Sequence, residues 1–211
     1  MESESFSTPR LMLRELTLED AASLLPIWSD IRVTRYMKIE RLTTEEEAQQ
    51  LIQLLKSQIK AGQSSRYAII LKDTHTIIGT CGFESFQPEH QSATISYELG
   101  KHYWGKGYAS EALWEIIEDG FQRRRIHRIE ARIEPENDRS IHALHKLGFM
   151  HEGRLRGALK KGDKFVDQLI FPSWLKNLSH PYGKKNVRDL AHVLFLFNLV
   201  SLIFNFLFYL G

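Results

Sequence analysis

The stretch Tyr97–Ala112 constrains the fold more than any other part of the chain. It opens with the alternation of a strand, tightens at glycines and then takes the apolar spacing of a helix. Glycines let the backbone approach an anion closely, and the N–H groups of a helix's first turn point at that anion. The pattern therefore predicts a phosphate site between a strand and a helix.

The turn itself indicates which kind of phosphate ligand to expect. Residues Gly100 to Gly107 read G-x-x-x-x-G-K-G, which differs from the P-loop pattern at its last position. A P-loop needs a hydroxyl after the lysine to hold magnesium, and Gly107 has none. We therefore expect a phosphate-bearing ligand that requires no metal, and the pyrophosphate of coenzyme A suits this better than ATP.

Three ordered motifs resemble those of the GNAT acetyltransferases, in particular the RimJ/RimL-type branch. His102–Gly107 matches the pyrophosphate signature [Q/R]-x-x-G-x-[G/A], except that His102 stands where Gln or Arg is usual. Asn137–Phe149 is similar to the N-x-x-S…K-L-G-F helix, and Glu152–Asp167 is similar to the closing hairpin. The resemblance covers about residues 8 to 176.

Composition bounds the organisation and the surroundings of the chain. With 211 residues, 43% of them hydrophobic, the chain can form one well-buried domain, placed at 1–176, plus an appendage. A net charge of +2 argues against a nucleic-acid partner. The single cysteine, Cys81, fits a reducing compartment and a core position, and the polar start of the chain predicts no signal peptide. We expect a cytoplasmic protein.

Periodicity and turn residues predict an alternating order of strands and helices. The glycines of the third predicted strand indicate close packing or a bulge, and Asn137 and Gly148 are expected to cap a helix at its two ends. The predicted strands cover 11–16, 67–71, 76–84, 95–99, 127–133, 150–159 and 165–171, and the predicted helices cover 17–28, 44–62, 108–121 and 137–147.

The resemblance implies an α/β GNAT fold. In that fold a mixed, mostly antiparallel sheet carries helices on both faces. The sheet is splayed between the fourth and fifth predicted strands, which contain Glu98 and Glu130.

The resemblance also implies acetyl-CoA as cosubstrate, with its pyrophosphate on the main-chain amides from Tyr103 to Tyr108 and its pantetheine along the strand of Glu98. The nine histidines lack the spacing of a metal site, so no metal is expected. The predicted cofactor-binding residues are Leu99, His102, Tyr103, Trp104, Gly105, Lys106, Gly107, Tyr108, Ala109, Asn137, Ser140 and Lys146.

Two residues are predicted to be catalytic, Glu98 and Ser140. An ammonium must lose a proton before it attacks a thioester, and Glu98 is the first candidate base, with an ion pair to a nearby cation as the alternative; Glu84 is a weaker candidate. Ser140 takes the place of the serine that serves the RimJ/RimL-type branch, while Leu144 stands where many GNAT enzymes have a tyrosine. Asn137 and Ser140 are also explained as a helix cap and a first-turn hydroxyl.

The predicted function is N-acetyltransfer from acetyl-CoA to a primary amine by direct attack. By resemblance, the expected acceptor is a protein N-terminal α-amine. Two alternatives stay open: a small amine of the polyamine type, and a non-catalytic module that binds acyl-CoA.

The C-terminal part of the sequence has a different character. A basic linker, 177–189, precedes the hydrophobic run 190–211, whose predicted helix is about as long as a bilayer's hydrocarbon core is thick. This helix is expected either to anchor the enzyme to the cytoplasmic face of a membrane or to self-associate in a homo-oligomer.

Overall fold

The computed structural model describes residues 5–174 and residue 177, and in this part of the chain eight strands form one sheet. The strand order is β1-β2-β3-β4-β5-β6-β8-β7, and every pairing is antiparallel except the parallel pairing of β5 with β6. The strands are β1 (Ser5–Ser7), β2 (Leu11–Glu15), β3 (Tyr67–Leu71), β4 (Ile77–Gln87), β5 (Ser92–Leu99), β6 (Arg128–Ile133), β7 (Gly153–Lys161) and β8 (Lys164–Ser173). The helices are α1 (Ala21–Trp28), α2 (Ile31–Thr34), α3 (Glu45–Lys60), α4 (Tyr108–Gln122) and α5 (Asp138–Lys146).

Helices cover both faces of the sheet, as expected for an α/β fold. The apolar sides of α1 and α3 pack on one face against Ala68 and Ile70 of β3. The apolar side of α4 packs on the other face in a separate and larger cluster, which also contains Cys81. Burial raises the pKa of the Cys81 thiol to about 12, so this residue is a core residue and not a nucleophile.

Helix ends follow the local sequence. Thr44 and Glu47 form a capping box at the start of α3. Asn137 caps α5 by accepting a hydrogen bond from the Ser140 N–H, and Gly148 lies just past the end of α5 with a φ of 85°. The caps predicted at Asn137 and Gly148 are both present.

The sheet opens between β5 and β6. These strands pair only over Ser92–Thr94 and Arg128–Glu130, so the remainder of β5, including Glu98, runs without β6 at its side. The splay expected between the strands of Glu98 and Glu130 is confirmed. We call the gap beyond the last pair the β5–β6 opening.

Several elements differ from the prediction. The short elements β1 and α2 were not predicted, because runs of three and four residues are too short to show a period. β7 begins at Gly153 instead of residue 150. A bulge between Leu155 and Leu159 interrupts it, where Asp167 accepts a hydrogen bond from the Gly157 N–H.

The linker 177–189, apart from Asn177, and the run 190–211 lie outside the described residues, so the domain boundary and the C-terminal helix stay predictions. Among the residues that the structure does describe, no helix has the length and apolar character needed to cross a bilayer.

Candidate active site

The glycine turn between β5 and α4 forms a cradle of main-chain amides. Gly105 and Gly107 have φ angles of 73° and 81°, a region that side chains with a Cβ rarely adopt. Gly107 is the N-cap of α4, and its carbonyl accepts the first helical hydrogen bond, from the Glu111 N–H. The amides of the first turn of α4 are therefore directed outwards at the turn, where the helix dipole favours an anion.

A buried carboxylate in α4 fixes this turn against the rest of the sheet. Glu111, 2% exposed, accepts hydrogen bonds from the Thr8 hydroxyl and from the main chain and Nε of Arg10. The Arg10 guanidinium also donates to the Lys106 carbonyl at 3.0 Å and lies over the Tyr108 ring. The β1–β2 turn thus fixes the position of the glycine turn.

A cavity of about 510 Å³ runs from the glycine turn through the β5–β6 opening to the face covered by α1 and α3. Arg139 of α5 lies over the ring of Trp104, a residue of the turn, at 3.8 Å, and Lys146 of the same helix also lines the cavity. Two cations in a cavity that also contains an amide cradle fit a ligand that carries several phosphates. The residues present therefore fit coenzyme A.

The Glu98 carboxylate lies on the α1 and α3 face of β5 and is 6% exposed. Its Oε1 accepts hydrogen bonds from the Trp28 indole and the Thr80 hydroxyl, and its Oε2 forms an ion pair with Arg66. The ion pair that the sequence left as the alternative is therefore present. A carboxylate has about four acceptor positions, so one position, on Oε2, remains for another donor.

Ser140 lies on the other face of β5. The Tyr97 hydroxyl donates to Ser140 Oγ at 3.0 Å, which joins β5 to the first turn of α5. Burial raises the pKa of Tyr97, although the hydrogen bond to Ser140 and the nearby Arg139 act in the opposite direction. The phenol therefore keeps its proton at neutral pH.

A main-chain amide of β5 faces the β5–β6 opening, between the Glu98 side chain on one face of the strand and Ser140 on the other. The Gly100 N–H donates to the Ile78 carbonyl of β4, so by strand alternation the N–H and C=O of Leu99 point away from β4. The Trp104 indole donates to the Leu99 carbonyl at 2.8 Å. The Leu99 N–H is thus directed into the β5–β6 opening.

The structure brings most of the predicted residues to the cavity but not all of them. Neither His102 nor Lys106 is among the lining residues, and the Lys106 carbonyl is used by Arg10. No group of side chains suited to a metal ion occurs in the part of the chain that the structure describes. The predicted residues that line the cavity are Glu98, Leu99, Tyr103, Trp104, Gly105, Gly107, Tyr108, Ala109, Asn137, Ser140 and Lys146.

Sequence reasoning missed the partners of these residues. Thr80 lies directly opposite Glu98 in the β4–β5 register. A polar residue within the otherwise apolar β4 was the signal in the sequence that could have identified it as a partner. The chain at Arg66 packs closely on β4 because Gly82 has no side chain: a Cβ there would lie 2.1 Å from the Ser65 carbonyl oxygen and 2.9 Å from the Arg66 Cα. Tyr97 and Arg139 gave no local signal, since their contacts join distant elements.

Together, the split sheet, the amide cradle at its opening, and the carboxylate and hydroxyl on opposite faces define a class of protein. They are the parts of an acyltransferase that holds an acyl-CoA thioester across a sheet.

Comparisons with known proteins give the family. A model of the acetyltransferase (GNAT) domain matches residues 10–150. The uncharacterized N-acetyltransferase p20 of Bacillus licheniformis is 44% identical over 168 residues, which cover 80% of this chain and 94% of p20. The ribosomal protein uS5-alanine N-acetyltransferase of Escherichia coli (strain K12) is 30% identical over 120 residues, covering 54% of this chain and 62% of that enzyme. Mycobacterium smegmatis RimJ, solved in complex with CoA-disulfide, has a TM-score of 0.75 at 21% identity, covering 90% of this chain and 94% of that chain.

The chain therefore belongs to the GNAT acetyltransferase family. It is an N-acetyltransferase whose acyl donor is acetyl-CoA, and the family expected from the three motifs is confirmed.

Proposed function

We propose that this enzyme acetylates the α-amine of a protein or peptide N-terminus. The observation that carries this proposal is the charge of the cavity lining. The described residues that line it include two carboxylates, Glu84 and Glu98, and each is paired, with Lys38 and with Arg66 respectively. A polyamine carries several positive charges and needs free carboxylates, whereas an N-terminal amine presents a single charge.

The enzymes with which the chain was compared support the same acceptor class. The Escherichia coli relative is named for the alanine of ribosomal protein uS5, and RimL, named as an acetyltransferase of ribosomal L7/L12, has a TM-score of 0.74. An α-amine has a pKa of about 8, so part of it is already neutral near pH 7. Such an acceptor needs only modest help from a base.

We assign that help to Glu98. Its Oε2 has room for one more donor, so it accepts a hydrogen bond from the amine and receives the proton as the amine attacks. Trp28, Thr80 and Arg66 hold the carboxylate in one orientation. The Leu99 N–H, directed at the opening, donates to the carbonyl oxygen of the reacting acyl group.

Ser140 acts on the opposite face. Acetyl-CoA, when bound, would supply the acetyl group as a thioester, and coenzyme A would depart as the thiolate once the acetyl group is on the amine. The Ser140 hydroxyl donates a hydrogen bond to the departing sulfur and stabilises its negative charge, and Asn137 holds the first turn of α5 in place. Glu98 therefore accepts the amine proton on one face of β5, and Ser140 contacts the leaving sulfur on the other. The acetyl group passes directly from the thioester to the amine.

The proposal is tested by thiol release from acetyl-CoA with a matched set of acceptors. The set contains a peptide that has a free N-terminus and an internal lysine, the same peptide with its N-terminus blocked, and spermidine. We expect release with the free N-terminus, and mass spectrometry should place the acetyl group on the α-amine. Faster acetylation of spermidine or of the lysine would contradict the proposed acceptor.

A further inference from the structure

On the side of the sheet that α1 and α3 cover, part of the cavity surface is apolar. The residues that form it come from α2, from the chain that follows α2 and from α3, and they are Val33, Met37, Ile39 and Leu55. Val33 is buried, and the other three are partly buried because they pack against the cluster that contains Trp28. We call these four cavity-lining residues the apolar wall.

Two connections relate the apolar wall to the Glu98 carboxylate. The Trp28 indole, which packs in the same cluster as the wall, donates to Glu98 Oε1 at 3.1 Å. Ala68, another member of that cluster, pairs with Thr80, and Thr80 pairs with Glu98 on the next strand. Because neighbouring strands are about 5 Å apart, Glu98 lies two strands from the cluster on the same face of the sheet.

The charged side chains on this side of the cavity are satisfied within the protein. Among the described residues that line it, each cation is paired with a carboxylate, and the pairs are Arg32 with Asp30, Lys38 with Glu84, Arg66 with Glu98 and Arg132 with Glu130. Gln58 of α3 adds an amide to this side but no charge. A charged acceptor side chain would therefore lose hydration without gaining a free partner, whereas an apolar side chain finds apolar surface to contact.

We propose that the apolar wall binds the side chain of the acceptor's first residue, so that the enzyme prefers N-termini that begin with an apolar residue. This inference rests on the proposed function, because it assumes that the α-amine lies at Glu98. In a first residue the Cβ is only about 2.5 Å from the amine nitrogen. The first side chain must therefore contact the cavity surface around Glu98, and the apolar wall belongs to that surface.

The preference is measured with three peptides that differ only in their first residue. Leucine, asparagine and aspartate have side chains of similar shape but of increasing polarity and charge. We expect kcat/KM to fall in the order leucine, asparagine, aspartate, with about a 10-fold difference or more between the first and the last. Thiol release from acetyl-CoA gives the three values.

Two alanine variants of adjacent leucines separate the wall from the rest of α3. Leu54 follows Gln53 and precedes Leu55, but it is 55% exposed and does not line the cavity. We expect Leu55→Ala to lower kcat/KM for the leucyl peptide about 3- to 10-fold, mainly through KM, because this contact is remote from the bonds that change. The asparaginyl peptide should lose less, and Leu54→Ala should alter neither. Thermal melting shows whether each variant is folded.

A lysine on the wall should shift the preference towards an acidic first residue. With Leu55→Lys, the ratio of kcat/KM for the aspartyl peptide to that for the leucyl peptide should rise about 10-fold or more above the wild-type ratio. Met37→Lys makes the same test from the chain that follows α2, so the result does not depend on the folding of one variant. A change of preference of this kind does not arise from a general loss of structure.

Two results would overturn the subsite alone. One is equal kcat/KM for the three peptides with the wild-type enzyme, and the other is an equal loss for the leucyl and asparaginyl peptides in Leu55→Ala. Absence of thiol release with every peptide would overturn the proposed function and the subsite together.

Discussion

At the scale of single residues, the proposed mechanism depends on the hydroxyl pair of Tyr97 on β5 and Ser140 on α5, which sets the direction of the hydrogen bond to the leaving sulfur. Tyr97 has one proton and donates it to Ser140 Oγ at 3.0 Å. The proton of Ser140 itself must therefore point elsewhere, and the cavity is open to it. Because burial raises the pKa of Tyr97, this orientation persists into mildly alkaline solution. Tyr97 is thus a positioning residue that acts through Ser140.

A double-mutant cycle tests this dependence. Ser140→Ala should lower kcat about 100-fold, as expected for loss of a hydrogen-bond donor to developing negative charge, and Tyr97→Phe should lower it about 3- to 10-fold with little change in KM for acetyl-CoA. Since Tyr97 acts only through Ser140, the double variant should be no slower than Ser140→Ala. Steady-state thiol release gives the three values, and multiplicative effects of the two substitutions would contradict the assignment.

The sequence indicated which candidate residues reach the cavity better than it indicated what surrounds them. Glu98 was a candidate because it precedes the glycine turn, and Ser140 because it takes the place of a serine in the family motif. Trp28 and Arg66, which hold Glu98, come from elements that are 70 and 32 residues away along the chain. Local patterns contain no information on such contacts, because they depend on which helix covers which face of the sheet.

At the scale of elements, the glycine turn provides the cleanest test of cofactor binding. Gly105 has a φ of 73°, and a Cβ built on it would meet no protein atom within 4 Å. Gly62, after α3, has a φ of 70° and is equally open, but it does not line the cavity. Alanine should therefore strain the two positions alike, by about 1–2 kcal/mol.

We expect Gly105→Ala and Gly62→Ala to lower Tm by similar amounts and to differ in affinity for coenzyme A. The Cβ at position 105 occupies space where a phosphate approaches the amides, so the dissociation constant should rise about 10-fold or more. Gly62→Ala should leave it unchanged. Calorimetric titration measures both, and equal affinities in the two variants would exclude the turn as the phosphate cradle.

Element prediction succeeded where the sequence carries an explicit signal. Asn137 and Gly148 marked the two ends of α5 because their chemistry is specific to those positions. The start of β7 was placed three residues early, since the chain from Met150 already bonds to β8 without regular strand geometry. Bulges such as that between Leu155 and Leu159 depend on the partner strand and do not show in one sequence.

At the scale of the whole molecule, the domain consists of two parts of one sheet that join along a short seam. Three pairs of residues connect β5 with β6, and beyond them the cavity separates the two parts. Only the family resemblance predicted this splay. The alternation of apolar residues along a strand is the same whether or not a neighbouring strand pairs with it, so the pattern does not show where a sheet opens. Because the cavity lies between the two parts of the sheet, other contacts must help the short β5–β6 pairing to hold these parts together.

Those contacts connect the α2 region with the far side of the opening. The Tyr36 hydroxyl donates to the Glu136 carbonyl at 3.0 Å. Lys161 of β7 donates to the Arg35 carbonyl at 2.6 Å and forms an ion pair with Glu134, whose side chain is 10% exposed. One lysine thus joins three segments around the cavity.

Replacing Lys161 with methionine should destabilise the domain, because the largely buried Glu134 loses its ion pair. A loss of about 1–3 kcal/mol lowers Tm by about 2–10 °C in a domain of this size. Lys160→Met is the matched control, since Lys160 is the exposed neighbour on the same strand and its replacement should change Tm little. Hydrogen exchange should also become faster in residues 31–37 with Lys161→Met only, because α2 loses its tie to β7. Equal melting temperatures for the two variants would show that the seam and the core hold the two parts together without this contact.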